Sequence, residues 1–317
     1  MKALVWDGET LRFDNDRARP EVPEGWARLR VRCAGICSTD QQILKGYMDF
    51  KGIPGHEFVG EVLEGPDEMI GKRVTCEINF ACGTCPACLR DMGRHCPTRT
   101  VLGIMGSDGA FAEEVAAPIA NLRVVPDSVS DEQAVFTEPL AAAYEILEQV
   151  HLEPGQRVVV LGDGKLGQLC AQVMHSAGAQ VQLIGKHPCK LEHPASLGIH
   201  TTLLEDFDEA PAPLVVEATG SEKGLAMAMR VVSPRGTLVL KSTVAASHEL
   251  SLAPLVINEV TVVGSRCGRF EPALQALAQG RVSVEAMIHG EFSLEEGVAA
   301  FERSREQGVL KVLLRPS

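Results

Sequence analysis

The chain has 317 residues, 45% of them hydrophobic, and a formal net charge of -12. That length allows two domains with packed cores, and the acidic balance lacks the basic footprint of a nucleic-acid binder. No run of about 18 apolar residues occurs, and MKALVWDGE lacks the basic start and apolar stretch of a signal peptide, so a cytoplasmic protein with reduced thiols and no membrane span is expected.

In chain order, VRCAGICSTDQQ brings Cys37, IPGHEFVGEV brings His56, and FTEPLAAAYEIL brings Glu138. A thiolate, an imidazole and a carboxylate from distant segments are the donor set of an open catalytic zinc site, with a fourth position for water or an alcohol oxygen. Taken singly, each also has an ordinary reading: a buried thiol, a core histidine, a helix-entry residue. Between them lies CGTCPACLRDMGRHC, in which Cys82, Cys85, Cys88 and Cys96 follow CxxCxxCx7C and Gly83, Pro86 and Gly93 supply turns. Tetrahedral zinc fits four sulfurs so spaced. A [4Fe-4S] cluster can share the spacing, but no second redox centre accompanies it. All four ligands come from one short lobe, which leaves no position for a substrate, so this site is read as structural.

Further along, RVVVLGDGKLGQLCAQV predicts a strand at Val158 to Leu161 running through Gly162-x-Gly164-x-x-Gly167 into a helix. A glycine pattern between a strand and a helix is the dinucleotide fingerprint: it allows a tight turn and brings backbone N–H groups close to a pyrophosphate at the helix N-terminus. The loop residues Asp163, Lys165 and Leu166 fall in the same site. Buried-type strands recur at 181–185, 214–220, 236–242 and 260–265, with helical stretches between several of them, which predicts a doubly wound parallel sheet over residues 141–265. A carboxylate for the ribose 2′-OH belongs at the end of the second strand. The sequence there reads Gly185, Lys186, His187, so NADP is favoured over NAD, with Lys186 attracting the 2′-phosphate.

Taken together, GHEFVGEV, the four-cysteine lobe, TEPLA, GxGxxG and VGSRCG resemble the zinc-containing medium-chain dehydrogenase/reductase superfamily, over nearly the whole chain. The resemblance implies an α/β protein with a mainly β, GroES-like catalytic domain over 1–140 and 266–317, its zinc lobe at 76–97, and a Rossmann domain over 141–265. It implies two zinc ions per chain, one held by Cys37, His56 and Glu138, the other by Cys82, Cys85, Cys88 and Cys96. Glu57 matches a glutamate that approaches the metal, Asp40 a carboxylate that orients the histidine ligand, and Thr39 a hydroxyl that contacts the substrate oxygen. Gln42 stands where many relatives carry the histidine that completes proton release. Cofactor contacts are implied for Thr219, Ser242, Ser265 and Arg266, and Lys311 matches a basic residue that reaches the cofactor phosphates. The implied reaction is hydride transfer between NADP (or NAD) and a small alcohol or polyol, or the matching aldehyde or ketone. A zinc-independent enone or quinone reductase and a non-catalytic nucleotide-binding scaffold are the competing readings. A homodimer or homotetramer through the edge strand at Thr261 to Gly264 is implied as well.

Overall fold

The computed structural model describes residues 1–243 and 251–316. They form two compact units. The first holds Met1–Glu138, Phe270–Gln279 and the chain from Val284 onward, the second Pro139–Arg269 and Gly280–Ser283.

The first unit is built on a seven-stranded sheet. Its path runs Leu122–Val124, Arg73–Cys76, Glu57–Glu64, Trp26–Gly35, Lys311–Arg315, Ile288–Ser293, and Glu114–Pro118 pairs with the first half of Trp26–Gly35. All of its pairings are antiparallel except the last two strands of the path. Trp26–Gly35 alternates between buried and more exposed residues over most of its length, as a strand with one face on a core requires. Its end and the start of Glu57–Glu64 are buried throughout, so the sheet is driest where the candidate ligands stand.

A carboxylate fastens this sheet to the helix Asp131–Ala134. Asp131 accepts from Arg32 Nε at 2.8 Å and from Arg73 Nη1 at 2.9 Å, and Arg73 also donates to the carbonyls of Val129 and Pro126. Burial works to raise the Asp131 carboxyl, but the two guanidiniums override it and hold the group below the ordinary aspartate range. Its contribution is therefore full above about pH 4 and is lost as pH falls toward the depressed native value. Asp131→Asn is expected to cost about 1–3 kcal/mol at pH 7 and to flatten the acid limb of the unfolding curve. Equal denaturant midpoints for the two proteins at pH 7 would refute the assignment.

The second unit carries a six-stranded sheet in the order His200–Leu203, Gln180–Gly185, Arg157–Leu161, Ala212–Glu217, Val232–Leu240, Thr261–Gly264, every neighbour parallel. Counted from Arg157–Leu161, this is 3-2-1-4-5-6, the doubly wound order of dinucleotide-binding sheets. The central strands are continuous apolar runs because both faces are covered: Val159, Leu161, Ile184, Val215 and Leu238 share one core with Ala228 and Val231 of a flanking helix. His200–Leu203 had no counterpart among the predicted strands. HTTL is short, mostly polar and at the sheet edge, so it lacks the apolar run by which the others are read.

Candidate functional site

Cys37 caps the short helix Ser38–Ile43: its sulfur accepts from Thr39 N, while Asp40 returns a carboxylate oxygen to Cys37 N at 2.7 Å. This capping box fixes the thiol at the helix entrance. The other Asp40 oxygen accepts from Gly55 N at 3.3 Å and lies 3.2 Å from His56 Nδ1, close enough for electrostatic attraction but poorly aligned for a hydrogen bond. Asp40 is wholly buried, so its two oxygens join the thiol loop to the histidine loop. With Nδ1 turned to Asp40, Nε2 is the nitrogen left for an ion. Burial opposes a charge on His56, yet the Asp40 carboxylate outweighs it and raises the imidazole well above the usual histidine range.

Donor atoms of Cys37, His56 and Glu57 all lie within 4.8 Å of one another. Two of these residues are almost fully buried, and Glu57 Oε1 has no hydrogen-bond partner. A buried carboxylate oxygen without a donor is costly, and a cation beside it removes the cost. The donor chemistry and the orphaned oxygen thus fit a zinc ion. Glu138 is not part of this cluster: it stands half-buried in the first turn of the helix Thr137–Gln149, and Glu57 is the carboxylate that joins the thiol and imidazole.

The other Glu57 oxygen is paired with Lys311. Lys311, expected at the cofactor phosphates, has no exposed surface; its ammonium is engaged by Glu57 and lies 5.1 Å from the Phe136 ring centroid. It cannot reach a phosphate without leaving an unpaired buried carboxylate. Desolvation lowers its pKa to about 8, against the raising influence of Cys37 and Asp40. Thr39 is half-buried, and its hydroxyl has no partner among the described residues, which leaves it free for a substrate oxygen. Gln42 is exposed.

The second cluster is Cys82, Cys85, Cys88 and Cys96, again with sulfurs within 4.8 Å of one another. Cys85 and Cys88 sulfurs are 3.4 Å apart, Cys82 and Cys88 sulfurs 3.9 Å. Zinc–sulfur bonds of about 2.3 Å give a tetrahedron with edges of about 3.8 Å, so the cradle is of the right size. Backbone N–H groups of Thr84 and Cys85 hold the Cys82 thiol down at about 5, and the Cys82 N–H lowers Cys96. Between residues 81 and 97 only Cys96 is buried, so the lobe has no apolar core of its own.

In the second unit the glycine loop has the expected form. Gly162 adopts φ +119°, and a Cβ there would meet Ala218 O at 2.5 Å; a Cβ on Gly167 would meet Gly162 O at 1.9 Å. Gly164 caps the helix Lys165–Ser176, whose first residues Lys165 and Leu166 are half-buried. Thr219 donates to Glu217 at 2.5 Å, and Ser242 accepts from Gly220 N at 2.8 Å, so both hydroxyls shape the loop after Ala212–Glu217. Ser265 and the Arg266 carbonyl accept from Lys241, a buried lysine that also donates to Ala142 O at 2.6 Å. Neither Lys241 nor Glu217 was singled out in sequence, because each is recognisable only through partners brought together by the sheet.

At the end of Gln180–Gly185, Lys186 is exposed and Gly185 buried. A carboxylate is nevertheless present. Asp163 Oδ2 accepts from Lys186 N at 2.7 Å, His187 N at 2.8 Å and, 2.9 Å away, His187 Nδ1. Sequence reading placed Asp163 in the loop and overlooked that its side chain reaches this position.

Two family models match the chain: the alcohol dehydrogenase GroES-like domain over residues 23–127 and the zinc-binding dehydrogenase over residues 166–279. An alcohol dehydrogenase from Thermus sp. ATN1 is 30% identical, with 100% of each chain covered and a TM-score of 0.91. A sorbitol dehydrogenase from Halalkalibacterium halodurans is 28% identical over 342 residues, covering 100% of this chain and 99% of that one. A protein from Sinorhizobium meliloti 1021, described as a zinc-binding dehydrogenase and solved with NADP, is 26% identical with a TM-score of 0.91 over 99% of each chain.

Proposed function

The chain belongs to the zinc-type medium-chain dehydrogenase/reductase superfamily, and from that premise we propose that it interconverts a small polyol and the matching ketone or aldehyde, with a nicotinamide dinucleotide as hydride carrier. One observation carries the reading: the thiol, imidazole and carboxylate of Cys37, His56 and Glu57 converge in a buried cluster with Asp40 behind the imidazole. When bound, zinc supplies Lewis acidity toward a hydroxyl oxygen and the nicotinamide accepts the hydride.

The chain's own residues do the rest. Cys37 and His56 hold the ion together with a carboxylate, Glu57 in the geometry described and Glu138 by resemblance. Asp40, 3.2 Å from His56 Nδ1, attracts that side of the imidazole and so favours presentation of Nε2 to the ion. Lys311 holds Glu57 by one oxygen and leaves the other for the ion. The unpartnered Thr39 hydroxyl accepts the proton of the substrate oxygen as it donates its own to solvent, because the Gln42 amide cannot act as a base at neutral pH. The cysteine tetrad holds a second zinc with a structural role, which makes two per chain.

The complete donor set weighs against a zinc-independent enone reductase, and the free Thr39 hydroxyl against a scaffold without turnover. A homodimer, or a tetramer of two such dimers, is supported by the open edge strand Thr261–Gly264, with Val262 exposed, and by exposed Leu252, Val256 and Ile257 nearby in sequence. No helix among the described residues is long and apolar enough to cross a membrane. Ten free cysteines suit the reducing cytoplasm.

The test is absorbance at 340 nm with a panel of polyols and their ketoses, before and after chelation, alongside a metal inventory. Turnover of a polyol that stops on chelation is expected, with two zinc per chain in the untreated protein. Enone reduction indifferent to the chelator, or nucleotide binding without any turnover, would overturn the proposal.

A further inference from the structure

The missing carboxylate at the end of Gln180–Gly185 led to an expectation of NADP, and the glycine loop reverses it. We infer that Asp163 supplies the ribose-binding carboxylate from inside the GxGxxG loop and makes the site select NAD over NADP. The inference rests on the dinucleotide-binding reading of this sheet.

Three observations carry it. First, Asp163 occupies the volume in which a side chain at position 185 would begin. A Cβ on Gly185 would meet Asp163 Cβ at 2.6 Å and Asp163 Oδ2 at 2.8 Å. The glycine therefore does not leave the strand end without an acid; it makes room for one arriving from the loop 22 residues earlier in sequence.

Second, Oδ2 already holds the donors that a 2′-phosphate would need. The N–H groups of Lys186 and His187 and the ring Nδ1 of His187 all point at it, at 2.7, 2.8 and 2.9 Å. A phosphate entering here would have to displace a carboxylate from three charge-assisted hydrogen bonds and then sit beside it, like charge against like charge. Third, Oδ1 accepts no hydrogen bond among the described residues. An acceptor held in place through its sister oxygen is suited to a ribose hydroxyl, which donates to it.

The opposing influence is Lys186, whose ammonium would attract a phosphate. Lys186 is exposed, whereas Asp163 is 8% exposed. Water screens the exposed lysine, whereas the buried carboxylate acts through a drier medium, so the carboxylate decides.

The experiment measures binding, without turnover: titration of the purified protein with NADH and with NADPH, followed by nucleotide fluorescence or calorimetry in the absence of substrate. NADH is expected to bind at least about tenfold tighter, a factor that corresponds to about 1.4 kcal/mol. In Asp163→Asn, which keeps the shape and removes the charge, the ratio of the two dissociation constants should move toward NADPH by about tenfold or more. Because a change at this loop can disturb its fold, Asp163→Gly/Gly185→Asp serves as the second variant; it removes the Cβ that a side chain at position 185 would strike, returns a carboxylate from the strand end and should restore the preference for NADH. Wild-type protein that prefers NADPH, or a ratio unmoved by Asp163→Asn, would overturn the assignment of Asp163. Failure of wild type to bind either nucleotide would overturn the dinucleotide reading beneath it.

Discussion

Replacing His56 by alanine is expected to lower kcat/KM for polyol oxidation by at least about three orders of magnitude, since Lewis-acid activation contributes several kcal/mol and each 1.36 kcal/mol is a factor of ten. The substitution removes the imidazole, which is neutral when it ligates a metal, from the Cys37, His56 and Glu57 cluster and leaves two anions that cannot hold an ion in the same geometry. Asp40 keeps its bonds from Cys37 N and Gly55 N, so the loop remains tied and the loss falls on the metal more than on the fold. Metal analysis should then return one zinc per chain where wild type returns two. Turnover within tenfold of wild type, or an unchanged zinc content, would remove His56 from the site.

The second large effect belongs to the cysteine lobe. Cys85→Ser takes one sulfur from four, and the lobe buries little apolar surface that could hold it instead: Leu89 is 75% exposed and Met92 43% exposed. Structural zinc in small domains contributes on the order of 10 kcal/mol or more of folding free energy. The expected result is loss of one zinc per chain and rapid proteolysis between residues 81 and 97, with unfolding of the second unit unaffected. If this segment stayed resistant to protease in the zinc-depleted variant, it would have to owe its order to something other than metal.

How much of this was legible in sequence depended on distance along the chain. The tetrad lies within fifteen residues, so its spacing alone indicated a metal. The parallel strands were legible because burial on both faces demands apolar runs, and His200–Leu203 escaped because an edge strand does not. Cys37 and His56 could be paired only through the motifs around them. The Glu57–Lys311 pair spans 254 positions and has no local signature. Asp163 was hidden for a different reason: it occupies a position that the fingerprint leaves unspecified, and its meaning depends on the absence of a side chain at Gly185.

The pairing of Glu57 with Lys311 also fixes an electrical sum. When a metal takes the place of a proton on His56 the imidazole is neutral, and with Cys37 as a thiolate three anions (Cys37, Asp40 and Glu57) then face a single ammonium, which leaves two negative charges in an enclosure where Asp40, His56, Glu57 and Lys311 are buried. A doubly charged ion brings that enclosure to neutrality; a singly charged one leaves it half compensated, at a steep cost in low dielectric. Valence, as well as ligand softness, thereby decides which ions the enclosure admits, and Lys311 sets the required value from outside the coordination shell.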